Sequence, residues 1–247
     1  MVISLSFSDC RMAKLIPLGA EPVPERGRAT LATSLVERLR QEILSGVLLP
    51  GQRLKLDDLR DRYAVSLSPL REAVSRLSSE GLLLNADQRG VRVAPVSAEN
   101  LAEVIELRAD LEPKALHNSI LHADDEWEIR ISGALLLLDR QERQAAEGHQ
   151  RVERWEQLHR QLHMSLISAC RMPLLLQFCS QLNDRGDRYR RLFLTDRSVE
   201  EHVKQEHQQL VELGLTRQAE AARDLLRQHI EQSARYVYEA LAQQDQD

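Results

Sequence analysis

The pattern of apolar and polar positions divides the chain into two parts near residue 97. Before that point, apolar residues recur at helical spacing only over short stretches. These stretches alternate with turn-forming residues and with two runs that favour strands. After that point the helical period continues with few breaks, and the helices that it predicts are long. The sequence therefore predicts a first domain of short elements and a second domain of long helices.

The first part predicts a small domain of three helices and a hairpin. In such a winged helix-turn-helix, the third helix lies in the major groove of DNA and the hairpin reaches the minor groove or the backbone. We place this domain at residues 31–96. In chain order its predicted elements are a helix from Thr33 that Gly46 ends, a turn and short extended piece at 48–54, a helix from Asp57 or Asp58 to Tyr63, a helix that ends at Gly81, and β-prone runs at 82–86 and 91–96 around a tip at 87–90.

The third helix has one apolar and one polar side. Leu70, Val74 and Leu77 form the apolar stripe that would face the core. Glu72 and Arg76 are four residues apart and fit an ordinary ion pair on a solvated face. The opposite side holds small or cationic donors, which suit phosphates and base edges: Ser68, Arg71, Ser75 and Ser78.

The second part predicts six amphipathic helices. The predicted helices run from a cap at Ser97 to Ile120 and then over about 125–146, 149–170, 173–194, 198–213 and 217–243. Their short connections predict an all-helical bundle, which we place at residues 97–243. Residues 1–30 contain three prolines and no period, and we expect them to form a mobile leader. The predicted fold is therefore mainly α.

Composition supports this fold and excludes some classes of protein. Aromatic residues are 4% of the chain and there are only 10 glycines, which favours a helical protein. The three cysteines form no framework and no Cys-x-x-Cys motif, so we expect reduced thiols in the cytoplasm. Asp9, Arg11 and Lys14 interrupt the apolar start of the chain, and no other apolar run is long enough to cross a bilayer. We therefore expect no signal peptide and no membrane partner.

Charge is distributed unevenly between the two parts. Residues 1–97 hold 14 Lys and Arg against 11 Asp and Glu, whereas the rest of the chain holds 19 and 27 of the totals of 33 and 38. A slightly basic first part and an acidic second part fit a protein whose first part alone touches nucleic acid.

Four of the eight histidines form a pattern. His159 and His163 are one helical turn apart, and His207 and His229 lie near the middle of two later helices among apolar neighbours. From this spacing alone, histidines on a wet helix face are a more common explanation than a metal site. We expect the other four at the surface: His117, His122, His149 and His202.

Short motifs in the first domain follow one another in a fixed order. They are Gly46, Pro50-Gly51-Gln52-Arg53-Leu54, Ser66-Leu67-Ser68-Pro69-Leu70-Arg71-Glu72-Ala73, Glu80-Gly81-Leu82 and Arg89-Gly90. In this order they resemble the DNA-binding half of the GntR regulators of bacteria. The chain departs from that family at Leu67, where an arginine usually contacts DNA. The resemblance implies DNA contacts from Lys55, Ser66, Ser68, Arg71, Arg89 and Gly90.

The second part resembles the six-helix, ligand-sensing domain of the FadR branch of this family. The residues that carry the resemblance are Glu106-Leu107-Arg108, Leu111-Glu112, Leu162-His163, Glu206-His207 and Arg227-Gln228-His229-Ile230. Many relatives bind a divalent metal there through an aspartate, a histidine four residues on and two later histidines. The resemblance implies His159 in the aspartate position, with His163, His207 and His229. Four imidazoles suit zinc, nickel or iron, although the lost carboxylate equally allows metal-free binding of an anion.

Relatives of this branch respond to small organic acids. Arg108 and Arg188 match positions where relatives place an arginine near the cavity, and an ordinary ion pair, such as Arg108 with Glu112, fits equally well. Within the branch, the paired histidines together with Asp125-Glu126-Trp127-Glu128 and Arg188-Tyr189-Arg190 are similar to the carbon-starvation regulators that sense glutarate-type dicarboxylates.

Taken together, the resemblances imply a DNA-binding transcriptional regulator that acts as a repressor. We expect a homodimer that binds a palindromic operator on double-stranded DNA under the control of a small carboxylate effector. A metal-dependent enzyme on a helical bundle and a pure interaction module are the alternatives. The sequence has no His-Glu-x-x-His motif, nucleophile elbow or glycine-rich phosphate loop, which argues against the enzyme. Binding to a promoter fragment separates the three.

Overall fold

The computed structural model describes residues 26–86, 90–143, 149–193 and 201–244, and the chain is mainly α over these ranges. The described residues form nine helices and three short strands. In chain order these are α1 (Arg26–Leu44), β1 (Arg53–Lys55), α2 (Leu56–Tyr63), α3 (Leu67–Ser79), β2 (Leu83–Ala86), β3 (Gly90–Val93), α4 (Ala98–Leu121), α5 (Asp125–Arg143), α6 (His149–Leu166), α7 (Pro173–Phe193), α8 (Glu201–Leu215) and α9 (Ala219–Gln244).

The first three helices and the sheet share one apolar core. Leu39 and Ile43 of α1 pack there with Leu70 and Leu77 of α3, and all four are fully buried. The strands lie in the order β1-β3-β2, and both pairings are antiparallel. The predicted winged helix-turn-helix is therefore confirmed. The extended piece before α2 does more than was predicted, because it pairs with β3 as a third strand.

Helix α3 has the predicted apolar stripe. It begins after Ser66 and ends before Gly81, whose φ of +72° lies in the left-handed region that suits glycine. The predicted outward positions at 68, 71 and 75 are exposed. Ser78 is an exception: it is half-buried and its hydroxyl has no partner among the described residues. The chain reverses direction just after Ser78, where the amide of Leu82 donates a hydrogen bond to the carbonyl of Leu77.

Helices α4 to α9 form the predicted bundle around a second apolar core. Helix α4 packs along α9, and α5 packs on α6. Leu107 of α4 is apolar but 41% exposed, whereas the neighbouring Arg108 is buried. At about 100° per residue, position 108 falls on the line of Leu101 and Val104 and position 107 falls well outside it.

Several predicted boundaries are wrong by a few residues. Helix α1 begins at Arg26, so the predicted leader at 1–30 is too long, and the rest of that leader lies outside the described residues. Helix α6 ends at Leu166 instead of 170, and the amides of Ser168 and Cys170 donate to carbonyls three residues back, at Ser165 and Ile167, in place of the helical four. Helix α9 begins at 219 instead of 217, since Arg217 has a φ of +60°. The wing tip at 87–89 is also outside the described residues.

Helix α7 connects the bundle to the winged domain. The Tyr189 hydroxyl lies 3.1 Å from the amide of Ser97 and donates to its carbonyl at 3.0 Å, just before α4. A Cβ on Gly46, at the end of α1, would lie 2.8 Å from Leu192, so the two helices approach closely there. In the described part of the chain, no helix is both long and apolar enough to cross a membrane.

Candidate metal centre and nucleic-acid interface

Four histidine side chains meet inside the bundle. His159 and His163 come from α6, His207 comes from α8 and His229 comes from α9. One ring nitrogen of each lies within 4.8 Å of the others, and no ring is more than 4% exposed. Leu158, Leu162 and Leu166 are buried on α6 at helical spacing, which turns the adjacent histidines inward. The structure thus brings together the four histidines that the sequence singled out.

Burial keeps the imidazoles of His159, His163 and His207 neutral. It lowers the pKa of His163 to about 4, and it lowers the pKa values of His159 and His207 well below the usual 6.5. A neutral imidazole keeps the lone pair that binds a metal ion. Both ring nitrogens of His163 and of His207 lack a hydrogen-bond partner among the described residues. Since buried polar atoms without partners are costly, this donor set fits a divalent metal of the zinc, nickel or iron type.

Two carboxylates lie behind the histidines. The Oε2 atom of Glu206 is 2.7 Å from Nδ1 of His229, so Nδ1 carries the hydrogen and Nε2 keeps its lone pair. The Oε2 atom of Glu112 is 3.6 Å from Nδ1 of His163, which is longer than a hydrogen bond but close enough for attraction. Carboxylates in these places orient metal-binding rings and make them more basic.

His159 has a different environment. The ring of Trp155 stacks on it with 4.6 Å between centroids and 21° between planes. Nη2 of Arg190 lies 3.3 Å from its Nδ1. Arg190 is held in turn by Glu156, at 3.1 Å, and by Asp187. Burial raises the pKa of Asp187 to about 6, and one of its oxygens has no hydrogen-bond partner among the described residues.

Arg108 forms the ion pair that was the alternative to an effector role. Its Nε donates to Oε1 of Glu112 at 2.6 Å, and both side chains are buried. Burial alone would raise the pKa of Glu112, but Arg108 and His163 outweigh it and the pKa falls to about 2. A Cβ on Gly186 of α7 would lie 2.6 Å from Nη1 of Arg108, so residue 186 must be small. The carboxylate of Glu112 therefore lies between Arg108 and His163 of the histidine cluster.

Arg188 does not share this environment. Its Nη2 donates to the carbonyl of Ala94 at 2.5 Å, in the linker between the wing and α4. At about 100° per residue it lies on the opposite side of α7 from Arg190, which contacts His159. The structure therefore does not bring Arg188 together with the four histidines, because α7 directs this residue towards the domain junction.

A chain of ion pairs across that junction was not predicted. Arg160 of α6 donates to Oδ1 of Asp184 at 2.7 Å, and Oδ2 of Asp184 accepts from Arg40 of α1 at 3.3 Å. Arg40 also donates to Glu80, at the end of α3, at 3.0 Å, and Arg185 donates to the Glu80 carbonyl at 2.8 Å. We call Arg160, Asp184, Arg40 and Glu80 the junction ion pairs. Their members are far apart in the chain, so no local spacing could reveal them.

The buried polar stripe on α7 did carry a signal in the sequence. Asn183, Asp187 and Arg190 recur at helical spacing and are all buried. When polar residues recur at helical spacing beside an apolar stripe, the helix is expected to face buried polar groups as well as an apolar core.

Three of the residues expected to contact DNA lie in α3 or just before it. Ser66, Ser68 and Arg71 are exposed, and Arg71 has no ion pair among the described residues. Arg76 is held by Glu72 at 2.5 Å, as predicted. Lys55 is exposed and pairs in the sheet with Gly90, at the base of the wing, while Arg89 lies outside the described residues. Leu67, the departure from the motif, is 36% exposed at the start of α3.

Of the histidines expected at the surface, His122 is exposed, His117 and His202 are half-buried, and the side chain of His149 is outside the described part. Cys170 and Cys179 are buried and unpaired, as predicted.

Comparison with known proteins agrees with both halves of the chain. Residues 31–93 match the family described as bacterial regulatory proteins, gntR family, and residues 103–232 match the FCD domain. The HTH-type transcriptional regulator BphR of Paraburkholderia xenovorans is 38% identical over 88% of this chain and 89% of its own. The HTH-type transcriptional repressor GlaR of Escherichia coli is 32% identical over 83% of this chain and 94% of its own. The fold is similar to that of McbR/YncC of Escherichia coli, with a TM-score of 0.72 and 22% identity over 85% of this chain and 97% of that one.

Proposed function

Because the chain belongs to the GntR family of bacterial regulators and carries an FCD domain, we propose that it is a repressor whose operator binding is controlled by a small organic acid. The acid binds in the bundle beside a divalent transition metal. As a member of this family the chain is a DNA-binding transcriptional regulator and not an enzyme. The name of GlaR as a repressor supports the proposed sign of regulation.

The observation that carries the proposal is the buried group of four histidines. Their nitrogens lie within 4.8 Å of one another and several have no other partner among the described residues. Such a group supplies the lone pairs that a divalent metal needs. The bound metal would supply a Lewis-acidic position for a carboxylate, and we assign the acid to the glutarate-type dicarboxylates.

The DNA side of the proposal rests on the exposed face of α3. We propose that a homodimer places two α3 helices in adjacent major grooves of a palindromic operator. Arg71 and Ser68 face the bases or the nearby phosphates, and Lys55 and the Arg89-Gly90 wing contact the backbone. Half-sites lie about one helical turn apart or less. A protein that elutes as a monomer and binds DNA one to one would contradict this arrangement.

The junction ion pairs supply a route from the acid to the DNA. Helix α6 carries His159 and His163 and also Arg160, which donates to Asp184. Asp184 is shared with Arg40 of the winged domain. A ligand that shifts α6 towards α8 and α9 would therefore also move Arg160 and its partner Asp184. Asp184 contacts Arg40 of α1, which in turn contacts Glu80 at the end of α3. A ligand that favours one arrangement of the domains changes operator affinity, as control by the acid requires.

The proposal is tested by operator binding under four conditions. Fluorescence anisotropy with a promoter fragment is measured with zinc or with a chelator, each with and without glutarate. We expect glutarate to weaken binding about 5- to 150-fold, and only in the presence of zinc. His163→Ala should abolish the response, and His122→Ala, at an exposed histidine, should keep it. A normal response in the His163 variant would refute the assigned cavity.

The route is tested separately with Asp184→Asn. The variant should bind zinc and glutarate as the wild type does, because Asp184 contacts neither site. The change in operator affinity on adding glutarate should shrink towards zero. Asp110→Asn removes an exposed ion pair, 3.0 Å from Arg227, and is the matched control. Full coupling in the Asp184 variant would show that the signal travels by another path.

A further inference from the structure

We infer that His159 is not a metal ligand and that it instead donates a hydrogen bond to the carboxylate of the effector. The metal is then held by His163, His207 and His229 alone. This inference rests on the proposed binding of a metal and an acid, and it assigns a separate role to each histidine. It also gives a reason for a histidine at the position where relatives of this family place an aspartate.

The hydrogen bond from Arg190 determines which nitrogen of His159 carries the hydrogen. A guanidinium has only donors, so at 3.3 Å from Arg190 the Nδ1 atom of His159 must accept. A neutral imidazole has one donor and one acceptor nitrogen. Nε2 of His159 therefore carries the hydrogen, and it has no lone pair to offer a metal.

The surroundings hold this ring in place. Trp155 covers one face of the imidazole with nearly parallel planes. Arg190 cannot swing away, because Glu156 and Asp187 both accept from it and all three are buried. Turning the ring over would break its hydrogen bond with Arg190 and leave a donor facing a guanidinium. Nε2 thus remains the nitrogen available to the other histidines, whose ring centroids lie 4.4 Å (His163) and 5.0 Å (His207) away.

The other three histidines have no such obstacle. Nδ1 of His229 donates to Glu206, which leaves its Nε2 free to ligate. His163 and His207 have no hydrogen bond at either nitrogen among the described residues. Three imidazoles leave one position of a tetrahedral metal open for an outside ligand.

A carboxylate fits that open position. One oxygen would bind the metal, and the other would accept from the Nε2 hydrogen of His159. An aspartate in place of His159 could only accept, so it would act as a ligand and repel an anion. With histidine the same position becomes a donor, which favours a negatively charged ligand beside a three-histidine metal.

The test compares the same substitution at two positions one turn apart on α6. His159→Phe keeps an aromatic ring against Trp155 and removes both nitrogens. His163→Phe is the matched control. Zinc binding is measured by calorimetry and by metal analysis after dialysis, and glutarate binding is measured on the zinc-loaded full-length protein. Thermal melting checks that each variant folds.

We expect His159→Phe to keep one zinc per chain with wild-type affinity and to bind glutarate roughly 10- to 100-fold more weakly, as the loss of one charge-assisted hydrogen bond predicts. His163→Phe should lose zinc and, with it, glutarate. If His159→Phe does not fold, His159→Leu carries the same two expectations.

Two results would overturn the inference. A loss of zinc in His159→Phe as large as that in His163→Phe would make His159 a ligand. Unchanged glutarate affinity in zinc-loaded His159→Phe would remove its role as a donor. A wild-type protein that binds no zinc or no glutarate would instead overturn the proposed function, and with it this inference, before any variant is compared.

Discussion

The recognition helix α3 and the bundle helix α7 place their polar residues in opposite environments. On α3, Ser68, Arg71 and Ser75 are exposed. On α7 five of the six charged residues are buried: Asp184, Asp187, Arg188, Arg190 and Arg191. A charge in water needs no partner, whereas a buried charge is costly unless it is paired. The polar face of α3 is therefore free for a partner from outside, and that of α7 is organised around partners within the protein.

Pairing along α7 is itself uneven. Arg190, on the side of the histidines, has two carboxylate partners. Within the described part of the chain, Arg188 at the domain junction has only a backbone carbonyl as its partner, and burial lowers its pKa to about 10. Nε of Arg191 has no partner among the described residues. Buried charge is thus balanced beside the candidate metal centre and less well balanced where the two domains meet.

The largest expected effect comes from breaking a buried pair. Arg108→Met keeps an unbranched apolar side chain like the stem of Arg108 but leaves Glu112 as a buried charge without its arginine partner. We expect a loss of about 3–5 kcal/mol in the free energy of unfolding, because an uncompensated charge must be desolvated. Urea denaturation of the metal-free protein measures it.

The exposed pair of Arg227 with Asp110 is the control for this change. Arg227→Met should cost at most about 1 kcal/mol, since exposed ion pairs contribute little. Equal losses in the two variants would mean that the buried pair does not stabilise the bundle as its geometry implies.

The second effect concerns the exposed helix. Arg71→Ala should weaken operator binding by about 1–3 kcal/mol if Arg71 reads a base edge, with little change in stability. The affinity should also fall with rising salt, because phosphates are contacted nearby. Arg76→Ala, whose partner Glu72 is on the same helix, should weaken binding less. Anisotropy titrations at two salt concentrations give both values, and an unchanged affinity for Arg71→Ala would show that α3 is misassigned.

The contrast between the two helices also explains what the sequence could predict. On α3 the residues of the predicted apolar stripe are buried and most of the predicted outward positions are exposed, so the helical period alone predicted which side of the helix faces solvent. On α4 the rule fails, since Arg108 is buried and Leu107 is exposed. A single charged residue on the buried side could not be recognised by hydropathy. Its partner Glu112, four residues on, was the available signal.

The histidine cluster and the junction ion pairs differ in the same way. His159 and His163 are neighbours in the chain, and resemblance to a family added the other two. The junction ion pairs join residues 24, 40 and 144 positions apart, so only the folded chain brings them together. Arg188 lies on the opposite side of α7 from Arg190, and the sequence does not show which of these two sides faces the histidines.

The third effect is the pH dependence of the buried histidines. In the unfolded chain His163 has the usual pKa of 6.5, and in the fold burial lowers it to about 4. Between these values only the unfolded chain takes up the proton, so stability falls as the pH falls. Asp187 acts in the opposite direction, since burial raises its pKa to about 6. A comparison with a His163 variant therefore isolates the imidazole.

Denaturation of the metal-free protein at pH 6.5 and pH 5 measures this dependence. The loss of stability between the two should be about 2 kcal/mol larger for the wild type than for His163→Phe, at about 1.4 kcal/mol per pH unit. His122→Phe, at an exposed position, should keep the wild-type dependence. If His163→Phe keeps it too, His163 is not buried as a neutral ring.

The smallest effect compares the first residues of two helices, one in each domain. Ser97 caps α4, since its Oγ accepts from the amide of Asn100 at 3.1 Å. Ser66 occupies the same place before α3 but makes no such bond. Ser97→Ala should therefore cost about 1 kcal/mol in the free energy of unfolding, and Ser66→Ala less than about 0.5 kcal/mol. Because the hydroxyl of Ser66 makes no hydrogen bond with the described residues, its loss should instead appear as weaker operator binding. Urea denaturation and anisotropy on both variants measure the two effects, and a reversed pattern would mean that Ser66 serves the fold and not the DNA.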